Sequence, residues 1–166
     1  MLGACSQSAP PAKAAPAATR PDVKIDADAA AIVARIRAAG AQFDSSVEVK
    51  PLRDAAVEGL LKQAHDYEAQ QQAGPALDAV AKALKIAPNA PDILQYQAEL
   101  QVEAGEWKLA AASAQRSYDL GPKVGALCAR NQQTLVHVRE SQGDTAGAAQ
   151  ARQQVSGCRV PAPARF

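Results

Sequence analysis

The chain has 166 residues, room for one domain and a flexible extension, and is 48% hydrophobic but only 4% aromatic. Its abundant alanine and glutamine suit close-packed helices and give no support to a sheet. A formal net charge of +1 with scattered basic residues gives no footing for nucleic acid, and no run of roughly 18 apolar residues offers a transmembrane helix.

At the N-terminus Leu2-Gly3-Ala4-Cys5 resembles the lipobox of bacterial lipoproteins. The resemblance implies that residues 1–4 are the remnant of a signal peptide and that the Cys5 thiol carries a diacylglycerol. A secretory signal needs a charged start and an apolar stretch of about 7–15 residues. Only four residues precede Cys5, so the resemblance implies a start upstream of Met1 or a trimmed chain. Residues 5–24 are rich in Ala and Pro, lack a hydrophobic pattern and are expected to form a disordered, semi-rigid tether. Ser6 after the cysteine implies, by resemblance to enteric lipoproteins, an outer-membrane anchor facing the periplasm. The alternative is an accidental cysteine near a cytosolic start.

Residues 25–50 predict a helix followed by an extended connection. Asp26 or Asp28 caps the helix, Gly40 ends it, and Ile25, Ile32, Val33 and Ile36 form its apolar stripe. Phe43 and the alternating Val47-Glu48-Val49 suggest the extended segment. This helix is expected to cover the N-terminal face of the repeats that follow; the other reading is that it docks a partner or completes a dimer.

From residue 51 to 158 the chain repeats. Pro88 and Pro122 stand 34 residues apart, and registering the segments on them aligns Leu60 with Leu94, Ala64 with Ala98, Ala76 with Ala110 and Ile86 with Leu120. Crossing helices about 8–10 Å apart need small residues at the contact, which Ala64, Ala76, Ala83, Ala98 and Ala110 supply. Leu60, Tyr67, Val80, Leu84 and Ile86 are expected to fill the space between turns. Pro75 is placed at the first position of its helix, and Pro88 and Pro122 follow helix ends. This pattern, with Ala104-Gly105-Glu106-Trp107 as a Gly-acid-aromatic turn, resembles the tetratricopeptide repeat (TPR). Two departures are Gln63 and Gln97 where the family has a large aliphatic residue, and Gln71 in place of a turn glycine.

A third unit follows with Gly143-Asp144 aligned to Gly105-Glu106 at a spacing of 38. Four extra residues are about one helical turn, so its first helix is expected to extend from near Lys123 to near Ser141, as suits a terminal cap. The fold class is therefore all-α: a short TPR-like solenoid of three helix pairs, with residues 159–166 a flexible tail. Cys128 begins the third pair and Cys158 ends it, so an antiparallel hairpin brings them together. A disulfide there closes a loop of about 30 residues, worth roughly 3–4 kcal/mol in chain-entropy terms, and requires an oxidising compartment. The alternative is two unrelated thiols. Neither cysteine has a second Cys or His at metal-ligand spacing.

No catalytic, cofactor or metal constellation is found: there is no nucleophile elbow, phosphate loop or paired-histidine zinc motif. His65 and His137 are lone helical histidines. The resemblance implies instead a concave groove lined by the first helix of each unit. Carried over, its candidate residues are Glu58, Leu61, His65 and Glu68 in the first unit, with Ala69. The second contributes Asp92, Gln95, Tyr96, Glu99, Val102 and Glu103, and the third Arg130 and Gln133. This acidic lining suits a peptide or helix with basic side chains. Residues 88–121 carry a net −3 and residues 122–166 a net +4, a dipole that either steers a charged partner or holds unit to unit. The expected function is a non-enzymatic protein–protein interaction scaffold of the cell envelope, with a protein or peptide partner and membrane contact through the lipid alone. No small-molecule substrate is expected. The alternative is a structural, oligomerising subunit of a pilus, outer-membrane or cell-wall assembly.

Overall fold

The computed structural model describes residues 25, 27–43 and 52–159. The expected Cys5 anchor and tether, the expected extended segment at Val47–Val49 and the expected tail from 160 lie outside the described residues. Seven helices occupy that span: α1 Ala27–Ala41, α2 Ala55–Ala69, α3 Ala73–Ile86, α4 Pro91–Glu103, α5 Trp107–Leu120, α6 Gly125–Ser141 and α7 Thr145–Gly157. Among the described residues there is no strand. Helices α2/α3, α4/α5 and α6/α7 are the three antiparallel pairs, stacked so that α3 meets α4 and α5 meets α6.

Local chemistry sets the element ends. Asp54 caps α2 by accepting from the Ala56 N–H at 2.7 Å, and Asp144 caps α7 by accepting from the Gly147 N–H at 2.8 Å. Pro91 is the first residue of α4, where a missing N–H costs no helical bond. Pro75 stands third in α3, not first as expected; its N–H would still be one of the orphan donors of a first turn. The turn inside each pair needs one left-handed residue. Gly105 (φ 72°) and Gly143 (φ 73°) supply it in two units, and Gln71 (φ 60°) supplies it in the first.

Ala64, Ala76, Ala83, Ala98 and Ala110 are all fully buried where helices cross. Val80 is buried with them, while Leu60, Tyr67 and Leu84 pack at the core's edge. Ile86 does not fill the core: it is 49% exposed, because α3 ends there and, among the described residues, no element covers the outer end of the first pair. Trp107 opens α5 and packs, partly buried, against Val102 and Val138. Helix α6 runs 17 residues against 13 for α4, the extra turn expected from the spacing. Cys128 and Cys158 are joined by a disulfide with their Cα atoms 5.6 Å apart, and the Gly125 N–H donates to the Cys158 carbonyl beside it at 2.7 Å.

Helix α1 departs from expectation. It lies not over the N-terminal face of the first pair but against α4 and α6, across the first helices of the units. Val33 and Ile36 bury against Val102 and Val138, so the apolar stripe meets the aliphatic patch on that face. Gly40 does not end the helix. It is buried in the last turn, and a Cβ there would stand 2.7 Å from Arg130 Cγ and 3.2 Å from the Ala126 carbonyl oxygen. Glycine thus permits the close approach to α6. Beyond it Phe43 packs on the Cys128–Cys158 cluster, with Arg159 over its ring.

Candidate interaction surface

The face formed by α2, α4 and α6 carries most of the groove residues expected from sequence, and α1 lies along it. Glu99 is its centre. Fully buried on α4, it accepts from Arg37 Nε at 2.9 Å and from Arg130 Nε at 2.8 Å and Nη2 at 2.6 Å. Gln95, also buried, donates to Glu99 at 3.0 Å and to the Thr134 hydroxyl at 2.9 Å. A carboxylate removed from water is tolerable only when its lone pairs are met in this way. The Glu99–Arg130 pair binds the acidic second unit to the basic third, so unit-to-unit attraction accounts for that part of the charge asymmetry.

Arg37 spans two units: its Nη2 donates to Glu68 Oε1 at 2.7 Å while its Nε holds Glu99. Burial alone would lower its pKa, and the Glu99 and Glu68 carboxylates outweigh that and raise it. The other Glu68 oxygen accepts from the Tyr96 hydroxyl at 2.8 Å. Burial, then the Glu68 charge, raise the Tyr96 pKa. His65 stacks on Tyr96 with ring centroids 4.5 Å apart, and its Nδ1 is 3.6 Å from Glu68.

The remaining candidates divide. Glu103 lies on this face, buried, and burial followed by the Glu68 charge pushes its pKa up to about 7. Val102 is covered by α1. Leu61 belongs to the core between α2 and α3, because it shares a helix face with Val57 and Ala64; it is a packing residue and not a groove contact. Glu58 and Asp92 sit at the outer end, both paired with Arg53. Gln133 hydrogen-bonds His137, which also contacts Glu140 at 3.0 Å. Burial lowers the His137 pKa despite that carboxylate.

Between α1, α2 and α4 an open pocket of about 610 Å³ remains. Ile25, Ala27, Ala30 and Ala69 make its apolar walls, and His65, Glu68 and Glu103 its polar one. Sequence reasoning found the polar wall but missed Arg37, the residue that ties α1 to it. The available signal was an acidic face without enough basic residues of its own.

No family model matches the chain. Over 86 residues, 51% of the chain, it is 37% identical to cellulose synthase 1 operon protein C of Komagataeibacter xylinus, and it spans 6% of that protein's length. The globular C-terminal domain of P. aeruginosa LpoP matches it with a TM-score of 0.58 and 30% identity, over 63% of this chain and 99% of that one. With that identity sustained over nearly the whole of the solved domain, the chain belongs to the family of TPR-like helical domains that includes the C-terminal domain of LpoP.

Proposed function

We propose that this chain is a protein-interaction scaffold of the bacterial cell envelope, lipid-anchored at Cys5 in the outer membrane and facing the periplasm. Its partner, a peptide or helix, is held against the face of α2, α4 and α6. The observation that carries this reading is α1 itself: that face receives an amphipathic helix through two aliphatic residues, Val33 and Ile36, and one arginine, Arg37. A partner offering the same chemistry either extends into the surface that α1 leaves open or takes its place. The Cys128–Cys158 bridge supports an oxidising compartment. The relative named for a cellulose synthase operon supports a place among envelope assemblies. The reading is one of binding, and no residue is given a catalytic role.

A second reading, an oligomer-building subunit, is favoured by the outer end of the first pair. There Leu52 and Ile86 are exposed beside an open pocket of about 480 Å³. Pull-down with the full chain from detergent-solubilised envelope separates the two. The scaffold reading expects an envelope protein whose capture is lost with His65→Glu and kept with Ile86→Lys. Self-association abolished by Ile86→Lys, with no partner captured, would overturn it. Mass spectrometry of protein extracted from membranes checks the diacylglycerol on Cys5.

A further inference from the structure

Among the described residues, the pocket between α1, α2 and α4 is short of one positive charge. Glu68 and Glu103 line it, Glu99 acts on Glu103 through its charge, and Arg37 and Arg130 are the guanidiniums paired with Glu68 and Glu99. Arg37 is engaged with Glu68 and Glu99, and Arg130 with Glu99. Glu103 is 7% exposed, lies on the pocket wall, and its Oε2 has no hydrogen-bond partner. A buried acceptor without a donor is costly, and one at the wall of an open pocket points to a group that arrives from outside.

The shape of the pocket says what that group is. Across from the carboxylates, Ile25, Ala27 and Ala30 offer small apolar surface, which suits an aliphatic stem. An apolar stem ending in a cation is a lysine or arginine side chain. Among the described residues no three His, Cys, Asp or Glu side chains converge as a metal ion would require. We propose that this pocket anchors a single lysine or arginine side chain of a protein partner, with Glu103 as the carboxylate that receives it. The proposal rests on the scaffold reading and specifies the partner's chemistry.

Because the Glu103 carboxyl is held up to about 7 by burial and by Glu68, an arriving cation displaces its proton near neutrality. The groups facing it are Glu68 and His65 from α2, Arg37 from α1, and Glu99 and Tyr96 from α4. Affinity for the cation therefore rises as pH increases through about 7.

Blocked lysine amide and blocked arginine amide serve as probes, with blocked glutamine amide as the neutral control, titrated into the isotope-labelled full chain and followed by NMR. The expected result is saturable shifts at Ile25, His65 and Glu103, absent with the glutamine probe and weaker at pH 6 than at pH 8. Glu103→Gln should weaken binding about tenfold, the scale of one charge-assisted contact. Ala30→Leu, which narrows the pocket from an exposed position of α1 and leaves the carboxylates intact, should weaken it too. Equal binding by parent and Glu103→Gln, or shifts spread evenly over the acidic surface, would overturn the proposal. So would a Lys24→Ala chain that binds the probes about tenfold tighter, because the chain's own lysine would then be the occupant. In the envelope pull-down, capture lost with His65→Glu but unchanged with Glu103→Gln removes the pocket and leaves the scaffold. No capture by any form removes the scaffold.

Discussion

Gln71 holds a left-handed conformation (φ 60°) at the position where the other two units place Gly105 and Gly143. A side chain there costs about 1–2 kcal/mol relative to glycine, and the carbonyl of Gln71 that accepts from the Ile25 N–H is retained whatever the side chain. Gln71→Gly is therefore expected to stabilise the fold by about 1 kcal/mol after glycine's extra unfolded-state entropy is set against the relief of strain. Denaturant unfolding measures it, and a variant no more stable than the parent would count against strain at this turn. Glu103 likewise weighs against the fold above neutrality. Its pKa is about 7 in the fold against 4.5 as the ordinary value, so between those pH values the unfolded chain gives up a proton that the native state keeps. Its contribution to stability is full below about 4.5, falls across that window and is lost above about 7. Glu103→Gln should match the parent near pH 4 and exceed it by about 1–3 kcal/mol at pH 8; an unchanged pH profile would show that the carboxyl is not held up.

Among the elements, the hairpins were legible because spacing alone places them. The alanines at one period, the prolines after helix ends and the extra turn in α6 are local or periodic signals, and each maps onto a helix boundary or crossing. Cysteine pairing was legible for the same reason, since a hairpin of known length returns its end to its start. The bridge joins α6 to the end of α7, a terminal unit supported from one side by another pair, and Phe43 carries its influence to the exit of α1. Reduction is expected to lower stability by roughly 3–4 kcal/mol, the entropy of a loop of about 30 residues. Hydrogen exchange should show the loss concentrated in α6, α7 and the end of α1. Uniform loss, or none, would mean that the bridge does not act locally.

At the level of the whole molecule, the position of α1 was not legible. Its stripe of Ile32, Val33 and Ile36 says that one face must be buried and is silent about which surface does the burying. Residues 44–51, spanning at most about 28 Å if extended, do not decide it by length. Three long-range matches decide it: aliphatic against Val102 and Val138, Arg37 against Glu68 and Glu99, and Gly40 against Arg130. None has a sequence period. The face expected to receive a peptide or helix with basic side chains holds the chain's own α1, through Arg37. That is also why Leu61, assigned to the groove by repeat position, belongs to the core, while Glu103 keeps its unmatched carboxylate oxygen beside the part α1 leaves open.

Hydrogen exchange on the full chain reads out whether the face of α2, α4 and α6 binds α1 through Arg37 and the Val33–Ile36 stripe. Amides of Ala27–Ala41 should be protected to a degree comparable with those of α4. In Arg37→Glu they should exchange at least about tenfold faster, equivalent to about 1.4 kcal/mol, while the α2–α3 core stays protected. Residues 27–41 exchanging in the parent at the rate of an unstructured peptide would contradict it.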